Sequence, residues 1–169
     1  MKKLVLIFMM MLNAVTYSNL SIYEGAFTAR EIISARSSMN SIRIYTNSES
    51  TDQTGNLREN RGSLRLYRGS NYKDPLLNIK NDQGIIRIYG GSGSKKQFYN
   101  ARDLSGTLRV YRGSGTIKQV LNIRHHQDHM RIYRGFGSTS HIATIKIEGE
   151  IYSNAEIMGV LIHSGILSI

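Results

Sequence analysis

Arginine and tyrosine recur together along this chain at a fixed step. Arg43, Arg65, Arg87, Arg109 and Arg131 each stand two residues before a tyrosine, namely Tyr45, Tyr67, Tyr89, Tyr111 and Tyr133, and both sets advance by 22 residues. A second cationic set, Arg36, Arg58, Lys80, Arg102, Arg124 and Lys146, keeps the same step, and four of its members lie two residues after Asn56, Asn78, Asn100 and Asn122. A linear array of guanidinium groups and aromatic rings suits an extended polyanion, held by a charge attraction that weakens with salt. Solvated guanidinium groups lying over tyrosine rings, a device for solubility, are the plainer reading of the same residues. Stacked asparagine amides have a third use, because they hydrogen-bond along the axis of cross-β assemblies.

Other candidate chemistry is thin. His125, His126, Asp128 and His129 are the densest possible metal ligands, since imidazole and carboxylate hold zinc or copper, but they fall in a bend and read as a solvated polar turn. The segment from Gly90 to Lys96 is glycine-rich and basic yet lacks the spacing and the following helix of a phosphate loop. Glu148 and Glu150 are closely paired carboxylates with no nucleophile and base beside them. The expectation is a protein that is not an enzyme, with no catalytic residue, no metal site and no cofactor. Cysteine is absent, so neither a disulfide framework nor a thiolate metal centre contributes.

The elements that must position these residues come from the repeat, since a fixed period redefines the fold. Units run over 19-40, 41-62, 63-84, 85-106, 107-128 and 129-150, each opening on a pentad such as Ser63-Leu64-Arg65-Leu66-Tyr67 and holding a second segment such as Leu121-Asn122-Ile123-Arg124. Both segments alternate apolar with polar and favour β-branched or aromatic residues, the signature of a strand with one buried face. Gly25, Gly69, Gly91, Gly113 and Gly135 mark a first bend; Gly62, Gly84 and Gly106, with Asn40 and Asp128 in equivalent slots, mark a second. Leu20, Ile42, Leu64, Ile86, Leu108 and Met130, with Ile22, Ile44, Leu66, Ile88, Val110 and Ile132, are expected to point inward against Leu77, Ile79, Leu121 and Ile123.

Residues 1-18 read as a secretory signal: Lys2 and Lys3, an apolar run from Leu4 to Leu12, then small residues from Ala14 to Ser18. That run is too short to span a bilayer and none like it follows, so no membrane span is expected. The formal charge of +10 falls by two, to +8, when Lys2 and Lys3 leave, and the excess favours acidic partners such as nucleic acid, anionic glycans or lipid head groups. Residues 151-169 form an apolar, nearly uncharged tail, expected either to cap an open end of the stack or to serve as an assembly edge.

Two folds use such a unit. In a β-solenoid each unit is one coil, and equivalent strands of successive coils pair parallel and in register. In a hairpin stack of the MORN kind, which Tyr67-Arg68-Gly69 resembles, each unit pairs with itself first. The invariant spacing favours the all-β solenoid of six strand-bend-strand-bend coils, because a slip of one residue would turn every buried side chain outward.

Repeats of about 22 residues in an exported chain resemble the curlins, the subunits of curli amyloid fibres. Ser41-Ile42-Arg43-Ile44 and Ser63-Leu64-Arg65-Leu66 fit the opening of the curlin unit, Gly135-Phe136-Gly137-Ser138 with Ala143 fits its bend, and Gln53, Gln97 and Gln119 form a partial amide ladder. Arg68, Arg112 and Arg134 stand where a curlin would carry glutamine. The resemblance implies a secreted structural subunit of an extracellular fibre at the surface of a Gram-negative bacterium. It also implies end-to-end self-association, other curlin-type subunits and an outer-membrane export channel as partners, and the basic character is closer to a minor or nucleating subunit. The rival reading is a monomeric module that binds acidic polysaccharide or nucleic acid through the Arg and Tyr ladders.

Overall fold

A computed structural model describes residues 18–25 and 30–169; all of the signal segment except Ser18 lies outside the described residues. Each repeat supplies two strands and each strand pairs with the next in sequence, always antiparallel. In chain order these are β1 (Asn19–Glu24), β2 (Glu31–Ser38), β3 (Ser41–Tyr45), β4 (Gln53–Asn60), β5 (Ser63–Arg68) and β6 (Leu77–Asp82), followed by β7 (Ile85–Gly90), β8 (Gln97–Leu104), β9 (Thr107–Arg112), β10 (Gln119–His125), β11 (His129–Arg134) and β12 (His141–Glu148). Strand β1 pairs with β12, Leu20 opposite Ile147 and Ile22 opposite Ile145, so the meander closes into a barrel.

The parallel solenoid is therefore corrected to a closed antiparallel barrel, and the reason is local. Only two residues separate Asn60 from Ser63, Asp82 from Ile85 and Leu104 from Thr107, which face one another across their hairpins. Parallel pairing needs a crossover of a dozen residues or more, whereas two residues with positive φ make a type I′ turn whose twist matches the strands. Arg61 and Gly62 take φ 50° and 74°, Gln83 and Gly84 51° and 80°, Ser105 and Gly106 54° and 76°. At the opposite end the connections are longer, and register shifts recur between the preceding residue and Tyr23, Tyr45, Tyr89 and Tyr133. Such bulges bend and twist the strands, which helps a sheet to close.

Side-chain parity holds as expected: Leu20, Ile22, Ile44, Leu66, Ile88, Val110 and Ile132 are buried inside the barrel with Leu77, Ile79, Leu121 and Ile123, while Leu64 is half-buried. The tail is neither a cap nor an edge. It returns into the barrel as α1 (Asn154–His163), in which every residue from Ile157 to Ile162 is buried. A helix that is apolar all round belongs in a core. Ser153 starts it with a capping box, its side chain accepting from Glu156 N while the Glu156 carboxylate accepts from Ser153 N at 2.6 Å. The helix enters at the two-residue-turn end, beside Tyr152, and leaves at the long-loop end, where His163 Nε2 lies 3.0 Å from Thr54 Oγ1.

Closure also removes the structural basis expected for a fibre. A closed barrel has no unpaired strand edge to template further pairing, so the β-solenoid and amyloid-fibre readings, in which ladders continue from one molecule into the next, are set aside.

Candidate polyanion-binding belt

Six hairpins place the cations on the outer wall in one continuous band. Arg36 faces Arg43, Arg58 faces Arg65, Lys80 faces Arg87, Arg102 faces Arg109 and Arg124 faces Arg131, each directly across a strand pair. Lys146 of β12 faces His129 and Ser21. Every strand from β2 to β12 thus contributes one cation, and neighbouring strands lie about 4.8 Å apart. The band breaks at β1, where Ser21 occupies the equivalent position. The two cationic sets, separate series along the chain, are merged into one belt by antiparallel pairing.

Arg43, Lys80, Arg109 and Arg131 are exposed, and the other members are half-buried, their stems lying on the wall while the heads reach water. Among the described residues, carboxylates pair with two belt members: Asp82 with Arg87, and Glu148 with Lys146 at 2.6 Å. Elsewhere neutral groups share the charge. The Arg36 guanidinium donates to Ser48 O and lies 4.5 Å from the Tyr45 ring centroid, Arg58 stacks 3.8 Å over Tyr72, and Arg124 lies 5.7 Å from Tyr133.

The tyrosines and asparagines named from the sequence do different work. Tyr45, Tyr67, Tyr111 and Tyr133 are buried and Tyr89 half-buried, each facing the equivalent Ser34, Asn56, Asn100, Asn122 or Asn78 of the neighbouring strand. The long loop of the next hairpin is held over them. Asn56 Nδ2 donates to Gly69 O at 2.6 Å and Asn71 O at 3.2 Å, Asn100 Nδ2 to Gly113 O at 2.8 Å and Gly115 O at 2.9 Å. Asn78 and Asn122 bond Gly93 O and Gly137 O in the same way. Gln53, Gln97 and Gln119 add Nε2 bonds to Gly69, Gly113 and Gly135 carbonyls. These amides clamp loops within the molecule instead of forming a ladder between molecules. Thr144 of the last unit donates to Gly25 O of the first at 2.6 Å, carrying the clamp across the closure.

In the histidine turn, Arg131 Nε donates to His129 Nε2 at 3.1 Å and His129 Nδ1 lies 2.6 Å from Asp128 Oδ1, so both ring nitrogens are engaged. That hydrogen bond holds the exposed Asp128 carboxyl below its ordinary value. No cluster of three or more ligand-type residues suited to a metal ion occurs among the described residues. No helix there is long and apolar enough to cross a membrane. Sequence reasoning misses helix α1 although its signal is present: Ser153 and Glu156 at capping-box spacing immediately before Ile157.

No protein-family model and no curated protein matches this chain. A solved X-ray structure of a protein from Arabidopsis thaliana is similar at 13% identity, with a TM-score of 0.49, covering 78% of this chain and 80% of that one.

Proposed function

We propose that this protein binds an extended acidic polysaccharide along the outer belt of its barrel. The observation that carries the reading is one cation on each strand from β2 to β12, five pairs of them directly opposed. Like charges facing each other across strands are unfavourable, so the arrangement costs stability that an anionic ligand returns. A glycan fits better than a nucleic acid for a specific reason. Sequence-tolerant binding of single strands stacks bases on exposed aromatic rings, whereas Tyr45, Tyr67, Tyr111 and Tyr133 beside the belt are buried, Tyr89 is half-buried, and exposed Tyr72 has one ring face taken by Arg58. What remains accessible is charge and hydrogen-bond donors at short, regular spacing. Export and a place at the cell surface belong to the same proposal, supported by the leader-like residues 1-18.

The test is binding of the purified protein to a sulfated or uronic-acid glycan and to a single-stranded oligonucleotide of equal charge, over a range of salt. Replacing Arg65, Arg87 and Arg109 together with Ser is expected to weaken glycan binding and to lower the salt slope by about one for each guanidinium removed. Glycan affinity unchanged in that triple variant, or clearly tighter binding to the oligonucleotide, overturns the reading.

A further inference from the structure

The two ends of the barrel carry opposite charge, and between them they hold every exposed large apolar side chain among the described residues. The two-residue-turn end presents exposed Glu59, Asp82, Asp103, Asp128, Glu148 and Glu150, with Arg61 as its cation; Asp82 and Glu148 pair with the belt's Arg87 and Lys146. The long-loop end, along the arc of loops from β5 to β12, presents Lys73, Lys95, Lys96, Lys118, Arg112 and Arg134, with Asp74 as its carboxylate, while exposed Glu24, Glu49 and Asp52 lie on the remaining arc. Met39, Leu104 and Ile151 are exposed at the acidic end; Ile117, Phe136 and Ile169, with half-exposed Tyr72, are exposed at the basic end. Isolated surface apolar residues are ordinary, but their confinement to two faces of opposite charge is not required by solubility or by the fold.

We infer that two copies of this chain dock head to tail, the acidic end of one barrel on the basic end of the next. Charge complementarity selects this partner and this orientation. Side-by-side approach brings one cationic belt against another and is repelled, and the closed sheet offers no strand edge, which leaves the ends. Joining unlike faces is a heterologous contact, so the acidic face of one copy and the basic face of the other remain free after the first contact. The interface consists of loop and turn side chains, with no continuation of the sheet.

A charge swap tests it. Glu59→Lys with Glu150→Lys largely cancels the charge of the acidic end and leaves the basic end intact; Lys95→Glu with Lys118→Glu largely cancels the charge of the basic end and leaves the acidic end intact. All four side chains are exposed, and thermal melting checks that each variant folds. Sedimentation velocity on the wild type is expected to show mass rising with concentration at low salt, an association that disappears as the screening length falls from about 30 Å to about 8 Å. Each variant alone stays monomeric, and an equimolar mixture of the two associates again. The inference is overturned if the wild type stays monomeric at low salt, if either variant alone associates like the wild type, or if the mixture fails to associate. Lys95 and Lys118 lie in long loops at the opposite end of the strands from Glu59, which directly follows Arg58, so glycan binding by the Lys95→Glu, Lys118→Glu variant reports separately on the function proposed above.

Discussion

Tyr152 shows how much one side chain holds together in this fold. Its hydroxyl shares its one proton between two backbone carbonyls, Ser18 O at 2.8 Å and Ala35 O at 3.0 Å, joining the start of the barrel, β2 and the entry to α1, while Ser18 Oγ donates to Glu150 O at 2.7 Å. Burial pushes the phenol up from 10.0 to about 12. The folded chain therefore holds this proton more tightly than the unfolded chain, and the associated stability is complete below pH 10.0 and falls as the pH rises towards about 12. Tyr152→Phe is expected to cost about 1 to 3 kcal/mol in urea unfolding and to remove that alkaline loss. His163 acts at the other end of the pH scale. Burial, then the charge of Arg68, lowers its pKa below 6.5. The unfolded chain takes up this proton first, so the stability is fully present above pH 6.5 and declines as the pH falls towards the folded value. His163→Gln should flatten that decline, as seen by comparing urea midpoints above and below pH 6.5.

At the scale of the element, α1 fits only because glycine stands where it passes closest to its neighbours. A Cβ on Gly159 would lie 2.6 Å from Leu57 Cδ2 and 2.8 Å from its Cδ1, with Ile79 Cδ1 at 3.2 Å. Gly159→Ala is expected to destabilise by about 1 to 3 kcal/mol through overpacking, measured by chemical denaturation. Gly55 makes room in the same way for the His163 ring, which a Cβ would approach to 2.6 Å. Gly55→Ala should therefore be destabilising alone and much less so combined with His163→Ala, a coupling that a double-mutant cycle measures. Local signals for these elements are legible in the chain: alternation places all twelve strands, and Ser153 with Glu156 announces the helix. What misplaces the tail is the fold it is read against, since a solenoid has ends to cover and a barrel has an interior to fill.

For the whole molecule, closure and filling depend on each other. The ring of strands encloses a space that Ile157, Met158, Val160 and Leu161 occupy, and Leu167 seals near the exit. Ending the chain after Glu150 is expected to abolish cooperative unfolding and expose apolar surface to a hydrophobic dye, since no cavity of that size is tolerated in a packed interior. The belt is likewise a property of the whole ring. Each hairpin supplies at most two cations, and a band of charge runs around the outer wall because β2 to β12 pair side by side in one sheet.

The residue sequence by itself determined the strands, their inward and outward faces and the cationic positions, because alternation and a fixed 22-residue step are properties of the chain alone. It also held the two-residue turns that force antiparallel pairing, at Arg61-Gly62, Gln83-Gly84 and Ser105-Gly106. Only the tertiary structure decided what those faces meet. A period of strand, bend, strand, bend is compatible with coils or hairpins until partners are fixed, and burial of the tyrosines depends on loops that another repeat clamps in place. Local pattern sets which side of a strand is apolar; distant contacts set whether the polar side is exposed, covered or paired with its own charge.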